Sequence, residues 1–285
     1  MRSVTNSCWA HLKLSDKASL VSCAKENIEE ILSKNLPWND LHSRNALLEV
    51  IKACGKRKDL NEARRLHAEI VRENVFSKDT CINNALVSLY VKCGDLIEAK
   101  KVFDQVLIRN VVSWNALITG YVKNGHSYEA LNCFKQMCDD GISPSEVTFV
   151  CVLKACGNVG SIEIGKEIHT SVAKQGLLKK NIILGTTLVD MYAKCNMLDK
   201  AQEVFDELSL RDVVAWNALI AGYTQQGFAN EALKCFKKMQ CDGLLPDAVT
   251  YVCILKACSS IGLVNVGEEI HTEVRKRGLL RKNIV

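Results

Sequence analysis

The chain repeats itself at long range, and this repeat is the feature that most constrains its fold. Residues 111–145 (VVSWNALITGY…) and 213–247 (VVAWNALIAGY…) are identical at 20 of 35 aligned positions, and the second copy begins 102 residues after the first. Self-similarity at a long period is typical of proteins in which each unit cannot bury its apolar face alone and stacks on its neighbours. We therefore expect an extended array of stacked units.

Each 102-residue period contains three related units. One has 35 residues and opens with VVSWNALITGY, one has 36 residues and contains VCVLKACGNVG, and one has 31 residues and contains TTLVDMYAKC. The predicted units are 44–79, 80–110, 111–145, 146–181, 182–212, 213–247 and 248–283, with 284–285 opening another short unit. Residues 1–43 fit this pattern poorly and are predicted to hold a degenerate repeat.

Within a unit the apolar residues follow two helical stripes. The first stripe has the spacing i, i+3, i+4, i+7 and consists of Trp114, Leu117, Ile118 and Tyr121. The second stripe has the same spacing and consists of Ala130, Cys133, Phe134 and Met137. Asn124-Gly125 separates the two, and no alternation typical of strands competes. The sequence predicts an all-α protein, an α-solenoid of helix-turn-helix units.

Composition excludes some classes of protein and leaves others open. Hydrophobic residues make up 48% of the chain and charged residues 24%, which is typical of folded proteins. No apolar run reaches the roughly 20 residues of a membrane span, so no membrane partner is expected. The net charge of +5 permits a polyanionic partner without requiring one.

The cysteines and the first residues bear on the compartment. Fourteen cysteines occur, and several repeat on the same 102-residue grid, for example Cys54, Cys156 and Cys258. This regularity favours small core residues in a reducing compartment over disulfides. The first 24 residues contain a single acidic residue, Asp16, among basic and hydroxyl residues. That composition is compatible with an organelle transit peptide.

The alternation of 35-, 36- and 31-residue units over 44–285 resembles the pentatricopeptide repeat family, in its plant organellar subclass of P, L and S motifs. Tetratricopeptide repeats, by contrast, keep a period of about 34. The resemblance makes 44–79, 146–181 and 248–283 L motifs, 80–110 and 182–212 S motifs, and 111–145 and 213–247 P motifs. It implies a right-handed superhelix whose first helices line a groove for single-stranded RNA, with one base for each repeat.

In this family the fifth and the last residue of each motif choose the base. For the S and P motifs the resemblance gives the pairs Asn84/Asn110, Asn115/Ser145, Thr186/Asp212 and Asn217/Asp247. In the L motifs the fifth residue is aliphatic (Leu48, Val150 or Val252), so these motifs are expected to read weakly or not at all. Family usage and polarity then predict the core target 5′-(C/U)-C-N-G-U-3′.

Two further sets of residues are predicted to contact RNA. The second residues of the S and P motifs resemble the apolar side chains that sandwich each base in the family: Cys81, Val112, Ile183 and Val214. Lysines that could meet phosphates occupy motif position 13: Lys56, Lys92, Lys123 and Lys194. A carboxamide offers both a donor and an acceptor to a base edge. The alternatives are that the asparagines serve as helix caps and that the lysines form a solvated face.

Some family members carry a cytidine deaminase domain, whose zinc site has the signature H-x-E followed by P-C-x-x-C. His67-Ala-Glu69 and His271-Thr-Glu273 match H-x-E, but the third copy, His169-Thr-Ser171, lacks the acid. No C-x-x-C occurs in the chain. We therefore expect no catalytic residues, no metal site and no cofactor.

The sequence thus predicts a specificity factor that binds single-stranded RNA in a mitochondrion or chloroplast and has no small-molecule substrate. P-L-S arrays of this family typically select sites for C-to-U editing, and here the deaminase is expected to come from another chain because the array ends within a motif. One alternative is a protein-binding helical scaffold. Another is a truncated gene product with too few reading motifs.

Overall fold

The computed structural model describes residues 41–73, 79–178 and 180–278, and within these ranges the chain consists of helices joined by short turns, with no strand. The helices of this described part are α1 (Leu41–Arg57), α2 (Leu60–Glu73), α3 (Thr80–Cys93), α4 (Leu96–Gln105), α5 (Val111–Lys123), α6 (Ser127–Asp139), α7 (Glu146–Val159), α8 (Ile162–Lys174), α9 (Ile182–Lys194), α10 (Leu198–Glu207), α11 (Val213–Gln225), α12 (Ala229–Cys241), α13 (Ala248–Ser260) and α14 (Val264–Lys276). The prediction of an all-α protein is confirmed.

Each predicted unit contains a pair of helices. From α3 onward, every odd-numbered helix begins at the first residue of a predicted unit, whereas α1 begins three residues earlier, at Leu41 rather than at 44. The predicted break at Asn124-Gly125 is a turn in which Gly125 has a φ of 81°, a left-handed conformation that glycine adopts without strain. The predicted N-terminal segment up to residue 40 and the chain end at 279–285 lie outside the described residues.

The chain divides into two compact units, and the first comprises residues 1–120. In its described part, α1 packs against α2 and α3, and α3 packs against α2 and α4. The rings of Phe103 and Trp114 meet edge-to-face with their centroids 4.7 Å apart. This aromatic pair joins the second helix of one repeat to the first helix of the next.

The second unit comprises residues 121–285. The first helices α7, α9, α11 and α13 pack consecutively in one layer, and α8, α10 and α12 each contact two successive members of that layer. Phe205 and Trp216 repeat the aromatic pair of the first unit, with ring centroids 4.6 Å apart. The layer of first helices carries the predicted reading residues of this unit.

Small residues allow the first helices to approach closely. A Cβ atom added to Gly222 on α11 would lie 2.6 Å from the Cβ atom of Ala193 on α9. Because both groups are buried, neither helix can yield without moving its backbone. The three cysteines Cys54, Cys156 and Cys258 are buried as well, which confirms the prediction that they are core residues.

The lengths of these helices also bear on membranes. None of the helices in the described part is both long and apolar enough to span a bilayer.

Candidate nucleic-acid interface

The fifth residues of the S and P motifs are recessed in the first helices. Asn84, Thr186 and Asn217 are each only 7% exposed, and Asn115 is half-buried. Burying a polar side chain costs free energy unless it is hydrogen-bonded. The hydrogen-bond partners of these side chains therefore determine which polar atoms remain available to a ligand.

In the motifs from 44–79 to 213–247, the last residue is the N-cap of the next first helix. The side-chain oxygen of Asp212 accepts from the backbone N–H of Ala215, and that of Asp247 accepts from the N–H of Thr250. The residues that cap in the same way are Asp79, Asn110, Ser145 and Asn181. Capping is the alternative that the sequence left open for the fifth-position asparagines, but the cap of the helix that contains Asn217 is Asp212.

Asn217 and Asp247, the predicted pair of the 213–247 motif, are in direct contact. Asn217 Nδ2 donates to Asp247 Oδ1 over 3.0 Å, and the hydroxyl of Thr250 lies 2.6 Å from Asn217 Oδ1. Partial burial of the Asp247 carboxylate alone would raise its pKa, but hydrogen bonds from Thr250 and Asn217 outweigh burial and lower that pKa. The pair is therefore a preformed cluster with an ionised carboxylate.

In the S motifs the fifth residue is not satisfied in this way. Asn84 Oδ1 and Thr186 Oγ1 are buried and have no hydrogen-bond partner within the described residues. Leaving such a group unpaired costs about 1–3 kcal/mol. These two atoms belong to equivalent residues of the two S motifs, 102 residues apart. A buried polar atom without a partner in the described structure therefore recurs at the same motif position in each of the two units.

In the L motifs 44–79 and 146–181, whose last residues lie in the described part of the chain, the last residue has another partner. Asp79 forms an ion pair with Arg44, whose Nε lies 2.5 Å from Asp79 Oδ2, and Asn181 Nδ2 donates to the carboxylate of Glu146. Arg44 and Glu146 are the first residues of the predicted L motifs. The last residue is thus engaged by the start of its own motif instead of by a polar fifth residue.

The second residues of the first helices are exposed. Ile183 is 62% exposed, and Cys81, Val112 and Val214 are exposed too. Val147 and Val249 hold the same position in L motifs and are also exposed, although neither was predicted as a contact. Their shared motif position was the signal that could have identified them.

The predicted phosphate-contacting lysines are exposed, but they are not equivalent. Lys56, Lys92 and Lys123 are exposed near the ends of their helices, whereas Lys194 Nζ lies 2.7 Å from the carboxylate of Asp190. The aliphatic part of Lys92 passes over Gly55 on α1, where an added Cβ would lie 3.1 Å from Lys92 Cδ. Three further exposed lysines, missed from the sequence, recur one turn after the fifth residue of the L motifs: Lys52, Lys154 and Lys256.

The histidines of the H-x-E matches have structural partners. His67 Nδ1 lies 2.9 Å from Tyr90 Oη, and His169 Nδ1 lies 2.9 Å from Tyr192 Oη. Burial lowers the pKa of both imidazoles. His271 is exposed. Among the described residues no three His, Cys, Asp or Glu side chains are grouped as metal ligands.

A cleft of about 190 Å³ lies elsewhere in the second unit, among α10, α11 and α12. Its lining includes Phe205, Arg211, Trp216 and Lys238 but none of the predicted reading residues. The Nε1 atom of Trp216 is another buried donor that lacks a partner in the described part of the chain. This cleft is separate from the row of reading positions.

Comparison with known families identifies repeats over much of the same chain. The model of the PPR repeat family matches residues 109–158 and 211–260. The model of the PPR repeat matches residues 50–75, 84–111 and 186–213. Together these matches cover more than half of the chain.

Curated relatives are similar over most of this chain. A chloroplastic pentatricopeptide repeat-containing protein of Arabidopsis thaliana is 38% identical over 231 residues, which is 81% of this chain and 37% of the relative. A putative mitochondrial pentatricopeptide repeat-containing protein of the same plant is 36% identical over 260 residues, 90% of this chain and 41% of the relative. The chain spans about two fifths of the length of these relatives.

Among solved structures, the chain is similar to the pentatricopeptide repeat protein PPR10 in complex with an 18-nt psaJ RNA element. The TM-score is 0.66 at 18% sequence identity, and the match covers 87% of this chain and 36% of that one. PPR10 from maize on its own matches with a TM-score of 0.57. This likeness establishes the fold and confirms the predicted α-solenoid, while the handedness of the superhelix stays a prediction.

Proposed function

Since the chain belongs to the pentatricopeptide repeat family, we propose that it binds single-stranded RNA sequence-specifically, one base for each repeat. The fold it shares with PPR10, a protein named in complex with an RNA element, supports this proposal. In the proposal the reading pairs are Asn84/Asn110, Asn115/Ser145, Thr186/Asp212 and Asn217/Asp247. The L motifs contribute little to the choice of base.

The unsatisfied fifth residues of the S motifs carry the proposal. Thr186 Oγ1 is buried without a partner in the described structure, and Ile183, three residues earlier on α9, is 62% exposed. Residues at i and i+3 share a face of a helix. A base that packs on Ile183 can therefore bring its edge to Thr186, and Cys81 and Asn84 repeat this arrangement on α3. Such a base must be unpaired, because single strands offer their Watson–Crick edges to proteins.

The proposal is tested by selecting ligands from a random RNA pool with the purified chain. We expect enrichment of 5′-(C/U)-C-N-G-U-3′, and weaker binding when the same sequence forms the stem of a hairpin. Equal affinity for strand and stem would contradict the proposal. Binding of proteins but of no RNA would support the scaffold alternative instead.

A substitution at Thr186 tests whether the assigned pairs read bases. Thr186→Asn turns the pair Thr186/Asp212 into the same residue types as Asn217/Asp247. We expect the preferred fourth base to change from G to U, by about tenfold in relative affinity if the contact is worth what good base contacts in DNA grooves are worth. Equal weakening of binding to all RNAs would make Thr186 structural.

We further propose that the chain is a P-L-S type specificity factor for C-to-U editing in a mitochondrion or chloroplast. Relatives with organellar names support the location. In this proposal a deaminase acts in trans, because the described residues hold no group of three His, Cys, Asp or Glu side chains that could bind its zinc ion. The purified chain should therefore bind its RNA without converting any cytidine, and conversion by the chain alone would contradict this assignment.

A further inference from the structure

Thr250 contacts both members of the Asn217/Asp247 pair. Its hydroxyl oxygen lies 2.6 Å from Asn217 Oδ1 and 3.0 Å from Asp247 Oδ1, and it accepts from the backbone N–H of Asp247 over 3.1 Å. Thr250 is fully buried at the third position of α13, so it cannot itself reach a base. Its position allows it to act on the base only through Asn217.

The hydrogen bonds around Asn217 fix the orientation of its carboxamide. Asn217 Nδ2 donates to Asp247 Oδ1, which also accepts from the backbone N–H of Thr250. The single hydroxyl proton of Thr250 then goes to the nearer acceptor, Asn217 Oδ1. A flipped amide would place its oxygen against the Asp247 carboxylate, which disfavours the flip. A carboxamide has two donor hydrogens and two acceptor lone pairs, so one of each remains for a ligand.

A fixed amide distinguishes the two pyrimidines, whereas an amide free to flip does not. Uracil presents an N3–H donor beside carbonyl acceptors, and cytosine presents an N3 acceptor beside an amino donor. Either base can pair with a carboxamide, but the two pairings require opposite orientations of the oxygen and nitrogen. The orientation set at Asn217 therefore selects one pyrimidine over the other.

The other motifs show what happens without this contact. Thr250 is the third residue of the motif that follows Asn217. The same position is Ala215 in the motif that follows Thr186, and Ser113 in the motif that follows Asn84. Ala215 has no hydroxyl, and the Ser113 hydroxyl bonds Asn110 at 3.2 Å. In both cases the fifth residue keeps a buried polar atom that is unpartnered in the described structure. Asn217, in contrast, has both polar atoms of its amide bonded, the nitrogen to Asp247 and the oxygen to Thr250.

We infer that Thr250 is a positioning residue that sets the discrimination between uracil and cytosine by the 213–247 motif. This inference rests on the proposed function, and it adds the third residue of the following motif to the pair that reads the base. The Thr250 hydroxyl acts by holding the Asn217 amide, and it makes no contact with RNA.

The first test compares RNAs that carry U or C opposite the 213–247 motif. We expect the wild type to prefer U by about tenfold, in line with a good base contact. Thr250→Val should lower the U-to-C ratio several-fold, because the Asp247 contact alone then opposes the flipped amide, while Thr250→Ser, which retains the hydroxyl, should keep most of the preference. Thr224→Val is the matched control, because its hydroxyl on the same motif bonds only backbone carbonyl oxygens.

The outcomes separate this inference from the proposed function. If Thr250→Val keeps the U-to-C ratio, or weakens all RNAs alike while the wild type still selects bases, the inference is wrong and the proposed function stands. If the wild type shows no base preference at any position, both are overturned. Thermal melting of each variant reports whether it is folded.

A second test builds the contact where it is absent, and so does not depend on the stability of Thr250→Val. Thr186→Asn alone places an amide beside Asp212, and Ala215 has no hydroxyl to bond that amide. Adding Ala215→Thr supplies the hydroxyl at the position where Thr148 and Thr250 are fully buried. We expect the double variant to prefer U over C several-fold more than the single variant. An unchanged ratio in a folded double variant would overturn the inference.

Discussion

Thr186 illustrates a conflict between stability and recognition within one residue. Its hydroxyl is buried on α9 with no partner in the described part of the protein, whereas the hydroxyl of neighbouring Thr187 donates to the backbone carbonyl of Ile183 over 2.6 Å. A buried group that waits for a ligand costs stability in the free protein. In the proposed function, a base edge supplies the missing hydrogen bond and recovers this cost.

Thr186→Val should therefore stabilise the free protein while weakening its binding to RNA. Valine keeps the shape of threonine and removes the unpaired hydroxyl, so we expect the free energy of unfolding to rise by up to about 1 kcal/mol. Affinity for RNA with G at the fourth position should fall. Urea unfolding and RNA titration measure the two effects.

Thr187→Val is the matched control for Thr186→Val. It removes a hydroxyl that already has a partner, so it should lower stability or leave it unchanged, and it should leave the preferred base unchanged. A loss of stability in Thr186→Val as large as that in Thr187→Val would mean that the Thr186 hydroxyl is satisfied in the free protein.

At the scale of the helix, the packing of first helices depends on glycine at points of close approach. Gly222→Ala would place a methyl group 2.6 Å from the Cβ atom of Ala193. Overpacking of this kind typically costs about 1–3 kcal/mol, so we expect a lower melting temperature. Gly267 on α14 has no neighbour within 4 Å of an added Cβ. Gly267→Ala should raise the melting temperature, because alanine favours a helix by roughly 1 kcal/mol over glycine.

The histidine–tyrosine contacts between α2 and α3 and between α8 and α9 should make stability depend on pH. Burial lowers the pKa of His67 and His169 below the usual 6.5, with Glu98 and Glu207 opposing the shift. Below pH 6.5 the histidines of the unfolded chain bind protons, whereas those of the folded chain stay neutral. The contribution of His67 and His169 to the free energy of unfolding is therefore fully present above pH 6.5, and it declines as the pH falls towards their folded pKa values. The urea midpoint should be lower at pH 5.5 than at pH 7.5.

Substitution identifies the groups responsible for this pH dependence. The double variant His67→Gln, His169→Gln should show a smaller difference in midpoint between the two pH values. His271→Gln changes an exposed histidine at the third copy of the same position and should leave the difference intact. An undiminished difference in the double variant would assign the effect to carboxylates.

Periodicity was sufficient to predict the helices, because an apolar stripe and a turn residue are local features of the sequence. It did not reveal that Asn217 is recessed, nor that Thr250 lies against it. That contact joins residues 33 apart on different helices, and no pattern within one repeat contains it. The capping role of Asp212 and Asp247 was also missed, although an acid directly before an apolar helix is a recognisable N-cap signal.

At the scale of the whole chain, the RNA affinity that we propose depends on the number of reading pairs and phosphate contacts. The chain covers 37% of the chloroplastic relative described above, and it holds four predicted reading pairs. In the proposed function the exposed lysines Lys56, Lys92 and Lys123 add phosphate contacts, whereas Lys194 is already paired with Asp190. If the chain binds RNA as proposed, these contacts by themselves should give modest base selectivity and modest electrostatic attraction.

The number of these phosphate contacts can be measured from the salt dependence of the RNA affinity. Each phosphate neutralised on a single strand contributes about −0.7 to the slope of log affinity against log salt concentration. If Lys92 contacts a phosphate, Lys92→Gln should make the slope shallower by about 0.7. Lys166→Gln removes the same charge from an exposed position on the second helix α8 and should leave the slope unchanged. Fluorescence titrations at several salt concentrations give both slopes, and equal changes in the two variants would mean that the lysines act only through net charge.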